Sequence, residues 1–331
     1  MNILILFKFI DGPWGGGNQF LKNLKRNLIK KKKYSHNIFS ANAILINSHH
    51  LKYQLLLFKL LFKKKIFVHR IDGPLNYRSK KKVYENENIK IINNYIADAT
   101  IYQSKWSKKE NDIKFTKISD VIWNAPDPEI FSASLKKKES KKINLISTCW
   151  SKNLNKGHDI YRFLDRNLNF NKYDLTLIGR SPYSFKNIKL ISPLKSYDLS
   201  NYLKKSDIFI FCSKREACSN SLLEALHSQL PVVYASGSSN NEIVDSNGVS
   251  FNNYDILEKI DYVSQNLKYF NTNFKNIYPN IDGVTDQYLS TFKKIKSLIS
   301  NKMYNPKKIN LLFFFIILFK FFVNDIKDKL K

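Results

Sequence analysis

The sequence predicts two α/β domains of the Rossmann type that face a cleft, followed by a hydrophobic C-terminal helix. Short β-branched or aromatic runs alternate with helical stretches, a polar stretch interrupts this alternation once, and residues 309–323 are almost wholly apolar. Strand runs separated by helices of ten or more residues form parallel sheets with right-handed crossovers. Ligands of such sheets bind at the carboxyl ends of the strands, so we expect a ligand between the two domains.

The first domain is predicted over residues 1–130 and the second over residues 143–285. Between them, residues 131–142 (FSASLKKKESKK) are charged and have no apolar periodicity, which is typical of a linker. Residues 286–331 are predicted to form C-terminal helices with an apolar tail. The strand-like runs are 2–7, 43–48, 65–70, 99–104 and 121–123 in the first domain, and 143–148, 173–179, 188–192, 207–213 and 230–235 in the second.

The composition is that of a globular chain with an unusual charge. Apolar residues make up 43% of the 331 residues, which excludes a disordered protein, and the formal net charge is +28. Such a charge attracts phosphates of nucleic acids, lipids or nucleotide sugars, although codon bias in an AT-rich genome also enriches lysine. The three cysteines, Cys149, Cys212 and Cys218, form no C-x-x-C pair, so we expect reduced thiols without a disulfide or a zinc site.

The C-terminal tail has two interpretations. As a helix, the 15 residues 309–323 would span about 22 Å, which is less than the roughly 30 Å of a bilayer core. Lysines at 307, 308, 320, 327, 329 and 331 favour a helix that lies partly in an anionic leaflet, next to domains that fold without it. That interpretation places the protein in the cytoplasm, peripheral on the inner face of a membrane. The alternative is a terminal helix packed against the protein's own core.

Two loops have the features of anion-binding turns. Gly15, Gly16 and Gly17 follow the first strand and precede a helix, where backbone amides and the helix dipole favour a phosphate. A tight turn without a ligand explains the same glycines. In the second domain, Lys152 and Lys156 precede Gly157 and a helix, and lysines in such a place can neutralise a diphosphate.

The stretch REACSNSLLEALHSQLPVV, residues 215–233, contains two candidate ligand carboxylates. Glu216 follows a buried strand, and Glu224 lies eight residues later in a helix predicted to begin near Ser219, Asn220 or Ser221. Carboxylates accept hydrogen bonds from sugar hydroxyls, and free amides at the helix start suit phosphates. Ser221 and Glu224 also match a capping box, which would make Glu224 structural.

This Glu-x7-Glu segment resembles that of retaining glycosyltransferases with the GT-B fold, of the family 4 or group 1 type. GGGNQF near the start, NAPDPEIF at residues 124–131 and the Lys156–Gly157 pair also match, and the resemblance covers residues 1–285. It implies transfer of a sugar from a nucleotide-diphosphate donor with retained anomeric configuration, without a metal ion or other cofactor. Cell-surface polysaccharide or lipopolysaccharide synthesis, with a glycan or lipid-linked acceptor, is the implied setting.

The resemblance also implies roles for individual residues. Glu216 would reach the donor sugar, Glu224 the ribose, and Ser219 and Asn220 the diphosphate through backbone amides. Many members of the family carry an arginine near the start of the second-domain loop, where this sequence has Trp150-Ser151-Lys152. The charge at the diphosphate would then rest on Lys152 and Lys156.

VHRIDGP, residues 68–74, is the remaining candidate for the catalytic part of the site. His69 and Asp72 follow a first-domain strand, and with Arg70 they are expected to point into the cleft near the transferred sugar. A buried strand-end histidine and a simple Asp-Gly-Pro turn explain the same residues. Two other functions remain open: a sugar-nucleotide epimerase of GT-B-like fold, and a basic nucleic-acid-binding protein, for which no binding motif is present.

Overall fold

A computed structural model describes residues 1–12, 15–73, 83–111, 113, 116, 118–133, 141–276 and 278–330 of the chain. The chain divides into two compact units. Unit 1 comprises Met1–Ile10, Leu21–Trp123 and Asp282–Lys331, and unit 2 comprises Asp11–Phe20 and Asn124–Ile281. The residues after Asp282 thus group with unit 1, and the short segment from Asp11 groups with unit 2. Most of the predicted linker, residues 134–140, lies outside the described residues.

Unit 1 contains a five-stranded parallel sheet in the order β1-β2-β3-β4-β5. Its first four strands are completely buried, as expected for apolar runs covered on both faces. The strands are β1 Ile3–Leu6, β2 Ala43–Asn47, β3 Ile66–Ile71, β4 Ala99–Tyr102 and β5 Ile118–Val121.

The helices of unit 1 connect these strands and close the unit with the C-terminal residues. α1 begins within the Asp11–Phe20 segment of unit 2 and continues into unit 1. The helices of unit 1 are α1 Gly16–Lys30, α2 Lys52–Leu61, α3 Val83–Tyr95, α4 Lys105–Asn111, α11 Ile281–Ser300 and α12 Leu311–Leu330.

Unit 2 contains a six-stranded parallel sheet in the order β11-β10-β9-β6-β7-β8. The strand order reverses between β6 and β9: β7 and β8 follow on one side of β6, and β9 to β11 lie on its other side. Open parallel sheets bind ligands at such a reversal. The strands are β6 Ile143–Cys149, β7 Tyr173–Gly179, β8 Lys189–Ile191, β9 Ile208–Phe211, β10 Val232–Ala235 and β11 Gly248–Phe251.

Six α-helices and two short 3-10 helices belong to unit 2 within the described residues. The α-helices are α5 His158–Asn167, α6 Ser196–Lys204, α7 Asn220–His227, α8 Asn240–Val244, α9 Ile256–Gln265 and α10 Leu267–Thr272. The 3-10 helices are Leu154–Lys156 and Asp245–Asn247. One hydrophobic cluster of unit 2 joins side chains of β6, β7 and β9 to α5 and α9.

The predicted fold class of two Rossmann-like parallel α/β domains is confirmed, and residues Leu311–Leu330 form a C-terminal helix. Two strands differ from the prediction. β5 begins at Ile118 instead of 121 and is only half-buried, because it is an edge strand without an apolar run. β11 was not predicted, since GVSF alternates too briefly to stand out from the loops around it.

α12 is not a separate tail. Ile309, Ile317 and Phe321 are buried in a hydrophobic cluster of unit 1 that also contains side chains of α2 and α3. Removing residues 309–331 would therefore expose part of this cluster to water, so folding of the domains without these residues stays a prediction. Within the ranges given above, the structure contains no helix of the length and apolarity that crossing a membrane requires.

Candidate functional site

The loop after β9 brings Glu216 to Lys156 at the carboxyl ends of two adjacent strands. Lys156 donates a hydrogen bond from Nζ to Oε1 of Glu216, and Ser213 Oγ donates to the same oxygen at 2.5 Å. Both side chains of the ion pair remain partly exposed, Glu216 less so than Lys156. Two residues that are sixty positions apart in sequence thus form one charged site in unit 2.

Gly157 allows the Lys156 turn to approach the end of β9. Its φ of 74° lies in the left-handed region, and a Cβ at this position would lie 2.3 Å from the carbonyl oxygen of Cys212. The Lys214 amide donates to the carbonyl of Asn155 at 3.1 Å, which joins the two loops through their backbones. Lys152, at the start of the same loop, is exposed and has no partner among the described residues.

α7 begins at Asn220, and Ser219 is its N-cap. The Ser219 side chain accepts from the amide of Leu222 at 3.4 Å. The amides of Asn220 and Ser221 have no partner in the described part of the chain, so the helix presents free donors at this end. The predicted capping box is wrong: Ser221 lies inside the helix, and Glu224 is too far from the N-cap to complete such a box.

Glu224 is a buried carboxyl group without a side-chain partner among the described residues. It lies on α7 and is 7% exposed. Burial raises its pKa from 4.5 to about 7, because desolvation disfavours the charged form. A buried carboxyl group with a raised pKa is typical of ligand sites, where a bound group supplies the missing hydrogen bonds.

The glycine turn of the N-terminal segment lies against α7. Asn220 Nδ2 donates to the carbonyl oxygen of Gly16 at 2.8 Å, and both residues belong to unit 2. Asn124 Nδ2 donates to Asn220 Oδ1 at 2.8 Å and to the carbonyl oxygen of Cys218 at 3.1 Å. Gly15 has a φ of 52°, and a Cβ added at Gly15 or at Gly17 would meet no atom within 4 Å. The structure thus brings Gly16 to the start of α7, which the sequence did not predict.

His69 lies in the core of unit 1. It is completely buried in β3, its Nε2 lies 2.9 Å from the carbonyl oxygen of Ser48, and its Nδ1 lies 3.3 Å from Asn93 Nδ2. Because a carbonyl only accepts, Nε2 carries the proton and Nδ1 accepts. Burial lowers the pKa of His69 from 6.5 to about 4, so the ring is neutral at physiological pH. This geometry favours the structural interpretation of His69.

Asp72 belongs to a hydrogen-bonded network that also holds Arg70. Its Oδ1 accepts from Arg70 Nη1 at 2.9 Å and from Gln103 Nε2 at 2.5 Å. The expectation that Arg70 points into a cleft is wrong, because this side chain is completely buried in unit 1. Asp72 remains partly exposed and stays a candidate.

Three polar residues of the unit 2 site were not singled out from the sequence. Ser213 bonds Glu216, Asn124 bonds Asn220, and Asn240 Nδ2 donates to the carbonyl oxygens of Ser213 and Ala235 at 2.8 and 2.9 Å. Ser213 ends the run DIFIFCS and Asn124 opens NAPDPEIF, so position alone was a signal for both. Across the described residues, no group of three or more His, Cys, Asp or Glu side chains is placed to hold a metal ion.

The fold and the two loops that carry Lys156 and Glu216 define a class of protein. It has two parallel α/β domains, with a charged site at the strand ends of the second domain. Residues 159–268 match the family model described as "Glycosyl transferases group 1". The resemblance to group 1 glycosyltransferases is thereby confirmed for this part of the chain, which contains the Glu216–Glu224 segment. No curated protein matches the sequence.

Solved structures extend the likeness to nearly the whole chain. Sucrose-phosphate synthase from Thermosynechococcus elongatus has 12% identity and a TM-score of 0.64, with 86% of this chain and 81% of that chain covered. Anabaena HepE in complex with UDP and glucose has 13% identity and a TM-score of 0.64, with 91% and 99% covered. S. aureus MnaA with UDP has 15% identity and a TM-score of 0.59, with 94% and 100% covered. At these identities the likeness establishes the fold.

Proposed function

We propose that the protein transfers a sugar from a nucleotide-diphosphate sugar to a glycan or lipid-linked acceptor, with retention of anomeric configuration and without a metal ion. The observation that carries this proposal is the arrangement in unit 2. An ion-paired Glu216–Lys156, two free amides at the start of α7 and the buried acid Glu224 lie within one strand–loop–helix segment and its neighbouring loop.

Each part of a nucleotide-diphosphate sugar has a matching group in this arrangement. The amides of Asn220 and Ser221 and the cations Lys152 and Lys156 suit the diphosphate. Glu224 accepts hydrogen bonds from ribose hydroxyls, and these replace the hydrogen bonds to water that burial of Glu224 removes. Two proteins of similar fold, Anabaena HepE and S. aureus MnaA, were solved with UDP, which supports a nucleotide ligand.

Glu216 is proposed to contact the donor sugar. In the free protein its carboxylate is neutralised by Lys156, and a bound diphosphate would compete for that lysine and release the carboxylate toward sugar hydroxyls. The bond between the anomeric carbon and the phosphate oxygen breaks, and an acceptor oxygen attacks on the same face. The acceptor's hydroxyl proton passes to the leaving diphosphate, so the protein's tasks are positioning and charge stabilisation.

The acceptor is proposed to be a glycan or lipid-linked glycan of cell-surface polysaccharide or lipopolysaccharide synthesis, encountered at the inner face of a membrane. The apolar residues that α12 exposes support a membrane-bound acceptor. Asp72 is the proposed acceptor-side acid, since it is the partly exposed carboxylate at the end of β3.

Thermal-shift measurements with UDP, GDP and ADP sugars test donor binding first. A ligand at 100 times its dissociation constant adds about 2.7 kcal/mol to the free energy of unfolding, which raises the melting temperature measurably. Product analysis with and without added glycan acceptors then separates transfer from conversion of the sugar nucleotide alone. Conversion without any acceptor would identify an epimerase instead.

Glu216→Gln should keep the fold and lower the rate of transfer by at least about tenfold, because the neutral amide binds sugar hydroxyls and Lys156 more weakly. Glu258→Gln is the matched control, since Glu258 is an exposed glutamate on α9 and its loss should leave transfer unchanged. Wild-type turnover in the Glu216→Gln variant would contradict the assignment.

A further inference from the structure

One side of α12 exposes a continuous apolar stripe. The stripe includes Leu311, Leu312, Phe315, Ile316, Phe319 and Phe322. Their spacing places them on a single side of the helix, opposite Ile317 and Phe321. Phe319 is 67% exposed, whereas Phe321 is completely buried. A helix that only completed the core of unit 1 would carry polar residues on its outer side.

α2 adds a second stripe of the same kind. Tyr53, Leu57 and Leu61 lie four residues apart and are exposed, Leu61 at 62%. The other side of α2 is buried in the cluster that holds Ile317 and Phe321. The Tyr53 ring lies 6.0 Å from the Phe321 ring, so the two helices are neighbours. We call the exposed apolar residues of α2 and α12 the two-helix face.

Lysines predominate among the charged residues around the two-helix face. The two acids of α12 are turned toward the protein: Asp325 accepts from Lys52 and Tyr53, and Asp328 accepts from the amide of Tyr84 at 3.3 Å. The lysines beside the face are exposed. They are Lys63 and Lys64 after α2, Lys308 before α12, and Lys320, Lys327 and Lys329 on α12.

We propose that the two-helix face docks on an anionic lipid bilayer, with α2 and α12 lying in the interface. Exposed apolar stripes on two neighbouring helices mark an interaction site. The apolar side chains in the middle of the face suit the acyl region of a lipid leaflet. The lysines at its edge suit the anionic headgroups, which neutralise their charge.

A second copy of the chain fits this face less well. In a self-complementary contact the lysine edge of one copy would meet the lysine edge of the other, on chains that each carry +28. The docking proposal does not depend on the proposed enzymatic function, because lipid binding is measured without a sugar nucleotide.

Sedimentation of the full-length protein with vesicles tests the proposal. We expect binding to vesicles of phosphatidylcholine and phosphatidylglycerol in equal parts, and on the order of tenfold weaker binding to phosphatidylcholine alone. Added salt should weaken the binding without abolishing it, because apolar burial is insensitive to screening.

Paired substitutions locate the surface. Phe315→Glu with Phe319→Glu, and separately Leu57→Glu with Leu61→Glu, should each reduce vesicle affinity by at least about tenfold, since a charge must then enter the apolar layer. Tyr197→Glu with Tyr269→Glu is the matched control: it changes the net charge equally at exposed aromatic residues of unit 2, and its binding should equal that of the wild type. Phe315→Ser with Phe319→Ser gives a milder variant if the glutamate pair impairs folding, which circular dichroism would show.

Three outcomes would overturn the proposal. The first is a wild type that binds neither kind of vesicle, and the second is a paired variant of the two-helix face that binds as the wild type does. The third outcome is a wild-type dimer in analytical ultracentrifugation that becomes monomeric in the Phe315/Phe319 variants, which would assign the face to a second copy of the chain.

Discussion

At the scale of single residues, the candidate site is built around the ion pair between Glu216 and Lys156. Glu216 and Lys156 were both predicted from their positions after strands, and the ion pair between them follows from the adjacency of β6 and β9 in the sheet. Their partner Ser213 was missed because its position at a strand end was its one signal in the sequence, and serines are common there. Asn124 was missed for a different reason: nothing in the sequence shows that it contacts Asn220.

The pH dependence of stability should report the burial of Glu224. Its pKa in the folded protein, about 7, is above the 4.5 of the unfolded chain, so the native state binds the proton more tightly. The free energy of unfolding should therefore decrease as the pH rises from about 4.5 to 7 and stay low above. The carboxyl contributes up to about 3 kcal/mol to this decrease, at 1.4 kcal/mol per pKa unit.

Glu224→Gln removes the titrating group, so urea unfolding of this variant should lose less stability between pH 5 and pH 8 than the wild type does. Glu258→Gln is again the control and should follow the wild-type profile, because Glu258 is exposed. Parallel profiles for the wild type and Glu224→Gln would show that this carboxyl does not titrate with a raised pKa.

At the scale of elements, strand–loop–helix units were predictable and their close contacts were not. The apolar runs of β1 to β4 and of β6 to β10 gave the strands because buried parallel strands need such runs. The start of α7 was predicted only within three residues, since Ser219, Asn220 and Ser221 are all suitable caps. The Leu222 amide, which bonds Ser219, decided among them.

The turn after Lys156 should be intolerant of a side chain. Gly157→Ala places a Cβ against the backbone carbonyl of Cys212 and strains the left-handed φ, so we expect a loss of about 3 kcal/mol or more in the free energy of unfolding. Gly237→Ala is the matched control. Gly237 also has a positive φ, 93°, but a Cβ there meets no atom within 4 Å, so only the backbone strain of about 1 kcal/mol remains.

Chemical denaturation of both variants measures the difference. Because the Lys156 turn holds Lys156 beside Glu216, Gly157→Ala should also weaken donor binding in the thermal-shift assay, while Gly237→Ala should not. Equal stability losses in the two variants would contradict the contact with Cys212 as the cause.

At the scale of the whole molecule, unit 1 is assembled from distant parts of the chain. Asp98, at the start of β4, accepts from Lys59 Nζ at 3.3 Å, the Phe67 amide at 2.8 Å, Tyr304 Oη at 3.1 Å and the Lys307 amide at 2.9 Å. Burial lowers the pKa of Lys59, and the charge of Asp98 opposes this effect. One carboxylate thus joins the C-terminal segment to β3 and α2.

Removing this carboxylate should cost much more than removing its cation. Asp98→Ala leaves a buried lysine and three other donors unpaired, so we expect a loss of about 4 kcal/mol or more in the free energy of unfolding. Lys59→Met leaves Asp98 with three donors and fills a similar volume, so a loss of about 1 kcal/mol is expected. Urea unfolding of both variants checks this order, and equal losses would show that Asp98 acts only as the counter-ion of Lys59.

The two parallel α/β domains, the C-terminal helix and the charged residues after the strands of unit 2 could be predicted from the amino-acid sequence alone. These depend on local patterns, which are apolar runs, caps and the positions of Gly and Lys relative to strands. The burial of His69 and Arg70 and the contact of Gly16 with Asn220 are visible only in the folded structure. The folded structure also shows that α12 buries one side while it exposes the other. Burial and contact depend on which segments the fold brings together, and residues such as Asp98 and Lys307 are joined across more than two hundred positions of chain.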